Sequence, residues 1–362
     1  MAKTIDTDVN QFPSLTWNHL NINRSHLAAK LEKEAAFSLT MPDDEIDFQR
    51  HIPGTMEKAV HTEGGLGSSF DSQFDAVAKD AGIMTGEFIV PAGFSADPVR
   101  LSYTLADGSF SAADTVIRAG AGSRSVFIID FRSAREAAGA FGMRIAVRAE
   151  EGASVHLVTV NLMGEGFTCF HSVGASAADG AHIECTQLEL GAAASYTGTC
   201  IALAGATSRF DGRLGYMVQK DHLLDVNYVS RHEGRGSAST MNVDGVVSDS
   251  ARKTWRGTID FRKGCAESTG DEQENVLLLS PDVVNKSLPV ILCDEEAVDG
   301  RHGASIGRLG KDILFYMQSR GLDAATAQSL MVKAKIGSVC RHIPDAGLVE
   351  EIQNYIEGAL ET

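Results

Sequence analysis

The chain has 362 residues, 43% of them hydrophobic, with a formal net charge of −16 from 48 acidic residues against 32 Lys and Arg. This composition supports a sizeable core and excludes a disordered chain, while the acidic balance repels phosphate backbones and sets nucleic-acid binding aside. No apolar run reaches the length of a membrane span, and the opening MAKTIDTDVNQF lacks the features of a secretory signal, so a cytoplasmic protein is expected.

Three zones follow one another, with boundaries expected at residues 1–86, 87–300 and 301–362. In the first, Ser25 to Phe37 predicts a helix: Ser25 caps it, and Leu27, Leu31 and Ala35 recur every four residues. A polar stretch with Pro and Gly comes next, and a short helix is expected from Phe74 to Gly82.

From Glu87 to Val298 the helical period disappears. Short alternating runs take over, such as SVFIIDF, LLDVNYVSR and WRGTIDFRKG, each rich in Val, Ile, Phe or Thr and bounded by turn residues. EGASVHLVTV and DGAHIECTQL share one frame about 28 residues apart, and AGATSRFDGRL repeats it loosely. That spacing is too long for tight hairpins and too short for βαβ units. It fits the stacked turns of a β-solenoid, with small residues at the corners, ahead of a large sandwich or jelly roll that alternation alone would also allow.

Helices return after residue 301. KDILFYMQSRG places Ile313, Leu314 and Met317 on one face and stops near Gly321; Asp323 and Asp345 cap two further helices. Their apolar faces exceed what a three-helix hairpin can bury alone, so they should dock on the β body, a partner, or both.

The residues offer few motifs of chemistry. Six scattered cysteines include no CxxC pair, which reads as reduced core thiols. Phosphate-loop and nucleophile-elbow signatures are missing. His182 and Glu184 share one strand face with Cys185 opposite, and His232, between Arg231 and Glu233, reads as a corner or surface residue. Paired carboxylates in a solenoid groove would suit a β-helical carbohydrate-active enzyme, a polysaccharide lyase or hydrolase. Trp17 and Trp255 are the only tryptophans available for sugar stacking.

The segment from Gly257 to Leu309 is more distinctive. Glu272 and Glu274 lie two apart and project from one face of a strand, with Gln273 on the other. His302 sits in a tight loop between Gly300 and Gly303, just before a helix. A histidine with carboxylates near a surface suits a soft or transient iron site, or else the ring is simply satisfied by backbone.

This segment resembles the C-terminal half of the SufB/SufD family, the scaffold subunits of SUF iron–sulfur cluster assembly. The resemblance is carried by Gly257, Ile259, Phe261, Gly264 and Cys265, then Leu277, Leu278, Leu279 and Ser280, then Pro289, Ile291 and Val298. It continues through His302, Gly303, Ala304, Ser305 and Gly307 to Phe315, Tyr316, Ser319, Arg320, Gly321 and Leu322. SLTWNHLNINRSHL is faintly similar to the start of SufD proteins.

The resemblance implies a mainly β fold: a right-handed parallel β-helix (a single-stranded solenoid) with an N-terminal helical segment and a C-terminal α-helical bundle. It also implies a non-catalytic, SufD-like scaffold whose C-terminal helices, through Phe315, Tyr316 and Arg320, bind the SufC-type ABC ATPase. A second SufB/SufD-type subunit, in a homo- or heterodimer, would pair through the end of the β body. His302, with Glu274 and Glu272, would contact iron or an iron–sulfur cluster, held transiently and only within the complex. The chain departs from the family where Gly300 and Arg301 stand in place of a Cys-Ser before the histidine, and where Glu274 occupies the position of a SufB cysteine. No tightly bound cluster is therefore expected on the isolated chain.

Overall fold

The computed structural model describes residues 4–13, 18–41, 45–52 and 64–361. The N-terminal part forms strands β1 Thr4–Val9, β2 Ser25–Lys30, β3 Lys33–Glu34, β4 Phe37–Thr40 and β5 Asp47–His51, followed by helix α1 Ser68–Ala81. The body begins with β6 Thr85–Val90, β7 Val99–Leu105, β8 Ser109–Ala119, β9 Arg124–Ser133, β10 Ala138–Ala149, β11 Ser154–Leu162, β12 Gly166–Ala177 and β13 His182–Glu189. It continues through β14 Ala194–Leu203, β15 Arg209–Val218, β16 Leu223–His232, β17 Ala238–Val247, β18 Arg252–Phe261, β19 Thr269–Leu278, β20 Val284–Cys293 and β21 Asp299–Arg308. Helices α2 Lys311–Ser319, α3 Ala324–Cys340 and α4 Ala346–Leu360 follow.

Even-numbered strands from β6 to β20 pair in parallel in one sheet, and odd-numbered strands from β7 to β21 in the other. Each turn gives one strand to each sheet, so the expected solenoid is what the chain builds. Ser154 pairs with His182, the 28-residue offset of the sequence frame. Corners recur in register: Gly122, Gly152 and Gly180 have φ of 66°, 65° and 63°. Their N–H groups donate to Glu151, Asp179 and Ala206, each on the next corner. A left-handed residue repeated at one place in every turn favours glycine.

Alternation sorts the side chains. Inward positions such as Phe141, Met143, Ile145 and Val147 join one continuous core down the lumen. The outer face of the odd-numbered sheet presents Val158, Val160, Leu188 and Val246 to Val332, Ile336, Val339, Ile352 and Ile356 of α3 and α4. Each such buried side chain contributes about 1.5–3 kcal/mol. Asp323 and Asp345 cap these helices as expected, accepting from Thr326 N–H at 2.7 Å and Leu348 N–H at 2.9 Å.

The helix expected over Ser25–Phe37 is replaced by strands β2 and β3 and the start of β4. A spacing of four between Leu27 and Leu31 satisfies a period of two as well, and Ala29 between them is buried too. Antiparallel pairing of β1 with β2 turns that face onto Phe70 and Phe74 of α1. The helix expected from Phe74 exists as α1, starts six residues earlier at Ser68, and ends on Gly82 at φ 68°.

Buried polar anchors hold this N-terminal module on the even-numbered sheet. Arg144 bonds Asp114 at 2.9 Å and Asp75 of α1 at 2.7 Å. Asp225 accepts from Arg256 at 2.7 Å, Asn10 at 2.6 Å and Ser25 at 2.5 Å. The two ends of the solenoid differ. β4 and β5 run antiparallel to β7 and β6 and cover the first turn, whereas among the described residues no strand covers β20 and β21.

Candidate functional site

The inward face of the turn built by β18 and β19 is charged. β18 contributes Lys253 and Trp255 and β19 contributes Glu272 and Glu274, all four buried in the lumen. The two carboxylates share a face with Gln273 exposed on the other, as alternation predicts. Lys253 Nζ donates to Glu274 Oε1 and, at 3.2 Å, to Ser287 Oγ, and lies 5.6 Å from the Tyr216 ring centre. Trp255 Nε1–H donates to Glu272 Oε1 at 2.6 Å. A Cβ on Gly257 would fall 2.2 Å from Glu272 Oε1, so the missing side chain makes room for the carboxylate.

One ammonium thus serves two buried carboxylates. Glu272 Oε2, Glu274 Oε2 and the Tyr216 hydroxyl have no hydrogen-bond partner. Burial pushes the Glu272 carboxyl up to about 7, with the Trp255 bond opposing and the Glu274 charge reinforcing the rise. Burial lowers the Lys253 pKa against the pull of Glu274. Glu272 can therefore exchange a proton near neutral pH at the end of the lumen.

His302 is not in a loop. It lies in the middle of β21, paired in register with Glu272 and on the same inward-facing set. It is exposed because β21 is the last strand of its sheet, and among the described residues no strand pairs with its far edge. The glycines that suggested a loop are packing devices: a Cβ on Gly300 would fall 2.9 Å from the Phe261 ring. His302 and Glu272 are thereby brought onto adjacent turns, while Glu274 is engaged by Lys253. Among the described residues no group of three or more His, Cys, Asp or Glu is arranged to hold a metal ion.

Phe315 and Tyr316 stand on α2 with 73% and 58% of their surface exposed, and the Arg320 guanidinium lies 5.4 Å from the Tyr316 ring centre. Ile313 on the same helix is also exposed.

Other sequence expectations resolve as follows. His232 is not a surface residue: it is fully buried, bonds Ser237 Oγ at 2.8 Å and Ser239 Oγ at 2.9 Å, and burial pushes its pKa down to about 4. Its charged neighbours point outward while it points into the lumen. His182 and Glu184 share the outer face, where they pair with Asp211 and Arg213. Trp255 is sealed in the core and offers no platform for a sugar. Trp17 and the SLTW motif lie outside the described residues. All six cysteines are free thiols, five buried and Cys293 exposed. Lys253 and Tyr216 were not singled out from the sequence, because a lone Lys or Tyr in a strand carries no motif and only the stacking of turns brings them to the carboxylates.

The family model for the SUF system FeS cluster assembly SufBD core domain matches residues 103–335. The chain is 29% identical over 126 residues to the iron–sulfur cluster assembly protein SufD of Bacillus subtilis, covering 35% of this chain and 29% of that protein. It is 26% identical over 107 residues to SufD of Escherichia coli, covering 30% and 25%. A SufBD family protein of Pyrococcus horikoshii is 26% identical over 188 residues, covering 48% and 42%. The chain spans less than half the length of each of these relatives. Among the described residues no helix is long and apolar enough to cross a membrane.

Proposed function

Because the chain belongs to the SufBD family of the SUF iron–sulfur cluster assembly system, we propose that it is a non-catalytic, SufD-like scaffold subunit acting in the cytoplasm. It binds a SufC-type ATPase through α2, with Phe315, Tyr316 and Arg320 at the contact, and pairs with a second SufB/SufD-type subunit through the uncovered edges of β20 and β21. ATP hydrolysis belongs to the partner. The family assignment and the burial of Trp255 support this reading over the carbohydrate-active alternative.

The observation that carries this reading is the join between the open last turn and α2. Strand edges with unpaired backbone groups recruit another strand, and the aromatic pair exposed on α2 is the kind of residue that anchors interfaces. Iron or the cluster is cargo, contacted transiently by His302 together with Glu272 and Glu274 within the assembled complex. Glu272 Oε2 and Glu274 Oε2 are the oxygens available for it. A cluster favours thiolates, and Gly300 and Glu274 occupy the positions of family cysteines, so the isolated chain holds none tightly.

Co-purification with SufC from the same genome, with and without ATP, tests the reading. Phe315→Glu and Tyr316→Glu should each weaken the complex by roughly 30-fold, the worth of about 2 kcal/mol at an interface anchor. They should leave thermal unfolding unchanged, since both side chains are exposed. SufC binding that ignores both substitutions would overturn the partner assignment.

A further inference from the structure

Two of the six thiols stand on neighbouring turns at the open end of the solenoid. Cys293 closes β20, in register with Phe261 at the end of β18, and is the one exposed cysteine. It shares the parity of Ile291, which packs on the core, and so faces the end of the lumen. Cys265 lies in the corner between β18 and β19, fully buried and in the same core as Phe261.

That corner is longer than its neighbours. Seven residues, Arg262 to Ser268, join β18 to β19, whereas five join β16 to β17 and five join β20 to β21. Left-handed Gly264 and Glu267, at φ 106° and 67°, take up the extra chain. The Cys265 N–H donates to Arg262 O at 3.2 Å, a tight turn that carries Cys265 back towards Phe261, the residue beneath Cys293. Glu295 ties the two corners together. Its carboxylate accepts from Gly264 N–H at 3.0 Å, and its carbonyl accepts from the Cys293 thiol at 3.0 Å. Stacked strands lie about 4.7–4.9 Å apart, within the roughly 4.4–6.8 Å that separates the Cα atoms of a disulfide.

We infer that Cys293 and Cys265 form a reversible disulfide, made by hydrogen peroxide, that pins the uncovered last turn to the turn beneath it. Cys293 reacts first because it alone is exposed. Its sulfur attacks peroxide, an S–O bond forms as the O–O bond breaks, and hydroxide leaves with the thiol proton as water. The Cys265 sulfur then displaces the oxygen from Cys293, the S–S bond forms, and a second water leaves. Two thiols are oxidised and one peroxide is reduced. Peroxide is small and uncharged, so the acidic run Asp294, Glu295 and Glu296 does not repel it as it would an anionic oxidant. Burial raises the Cys265 pKa, with the Ser268 hydroxyl opposing, so Cys265 acts as the resolving thiol and not as the first nucleophile.

Peroxide treatment of the full chain, alkylation of the remaining thiols and peptide mass spectrometry test this directly. The peptides holding Cys265 and Cys293 should appear joined, lighter by two hydrogens, and dithiothreitol should separate them. Cys265→Ser should leave Cys293 as a sulfenic acid that dimedone traps, and Cys293→Ser should leave Cys265 unoxidised at the same dose. Amide exchange across β20 and β21 should slow at least about tenfold in the oxidised chain, because the staple removes separate opening of the last turn. The inference is overturned if wild-type Cys293 ends as a sulfinic acid, if it joins Cys293 of a second copy, if neither thiol is consumed, or if exchange in the last turn is unchanged. Mapping on wild type decides the matter even where a variant folds poorly.

Discussion

Glu272→Gln isolates the charge sealed at the end of the lumen. The folded chain holds the Glu272 proton up to about pH 7, whereas an unperturbed glutamate releases it near 4.5. Between those values the folded state binds more proton than the unfolded one, so stability falls as the pH rises through the window. Below it both states are protonated and nothing is lost; above it both are ionised and the deficit is constant. At 1.36 kcal/mol for each tenfold in proton affinity, the deficit is roughly 3 kcal/mol. Gln keeps an oxygen for the Trp255 N–H and cannot ionise, so the variant escapes the loss. Glu274, Lys253, Tyr216 and His302, the other titratable groups facing the site, are common to both chains, so the comparison isolates Glu272. Urea unfolding of both chains at about pH 5 and about pH 8 should show near-equal stability at the lower value and a variant roughly 2–3 kcal/mol more stable at the higher. Parallel profiles would refute the claim that Glu272 is ionised at a cost.

Lys253→Met strands the Glu274 carboxylate in the lumen and should cost roughly 3–5 kcal/mol in urea unfolding. Adding Glu274→Gln should recover more than half of that loss, and a double variant no better than the single would show the pair is not coupled. Asp225→Ala leaves Arg256 buried without its counter-charge and cuts the bonds to Asn10 and Ser25. It should lower stability by roughly 3 kcal/mol and speed amide exchange across β1 and β2. Exchange confined to the solenoid would contradict the anchoring role.

The solenoid was legible because its period is written twice over: in alternation along each strand and in the 28-residue return of small corner residues. The capped helices of the C-terminal part were legible too, since Asp323 and Asp345 signal locally. What failed was decided by neighbours distant in sequence. Leu27 and Leu31 fit two periods, and only β1 and α1 choose between them. DGRHGASIGR has no apolar alternation because it is the last strand and has little to bury, so it reads as a loop. His232 carries charged flanks, yet its own parity points it into the core. The lumen cluster is least legible of all: Lys253 and Glu274 are 21 residues apart, and their pairing follows from the stacking of turns.

The unequal ends of the solenoid limit what the molecule can build. An element uncovered at both ends would add copies indefinitely and grow into a fibre. Among the described residues the short antiparallel strands β4 and β5 close the first turn, which disfavours continued parallel stacking from that end. Two such molecules joined at their open turns consume each other's free edges and present blunted faces outward. Under the proposed pairing through the last turns, assembly would therefore stop at two subunits.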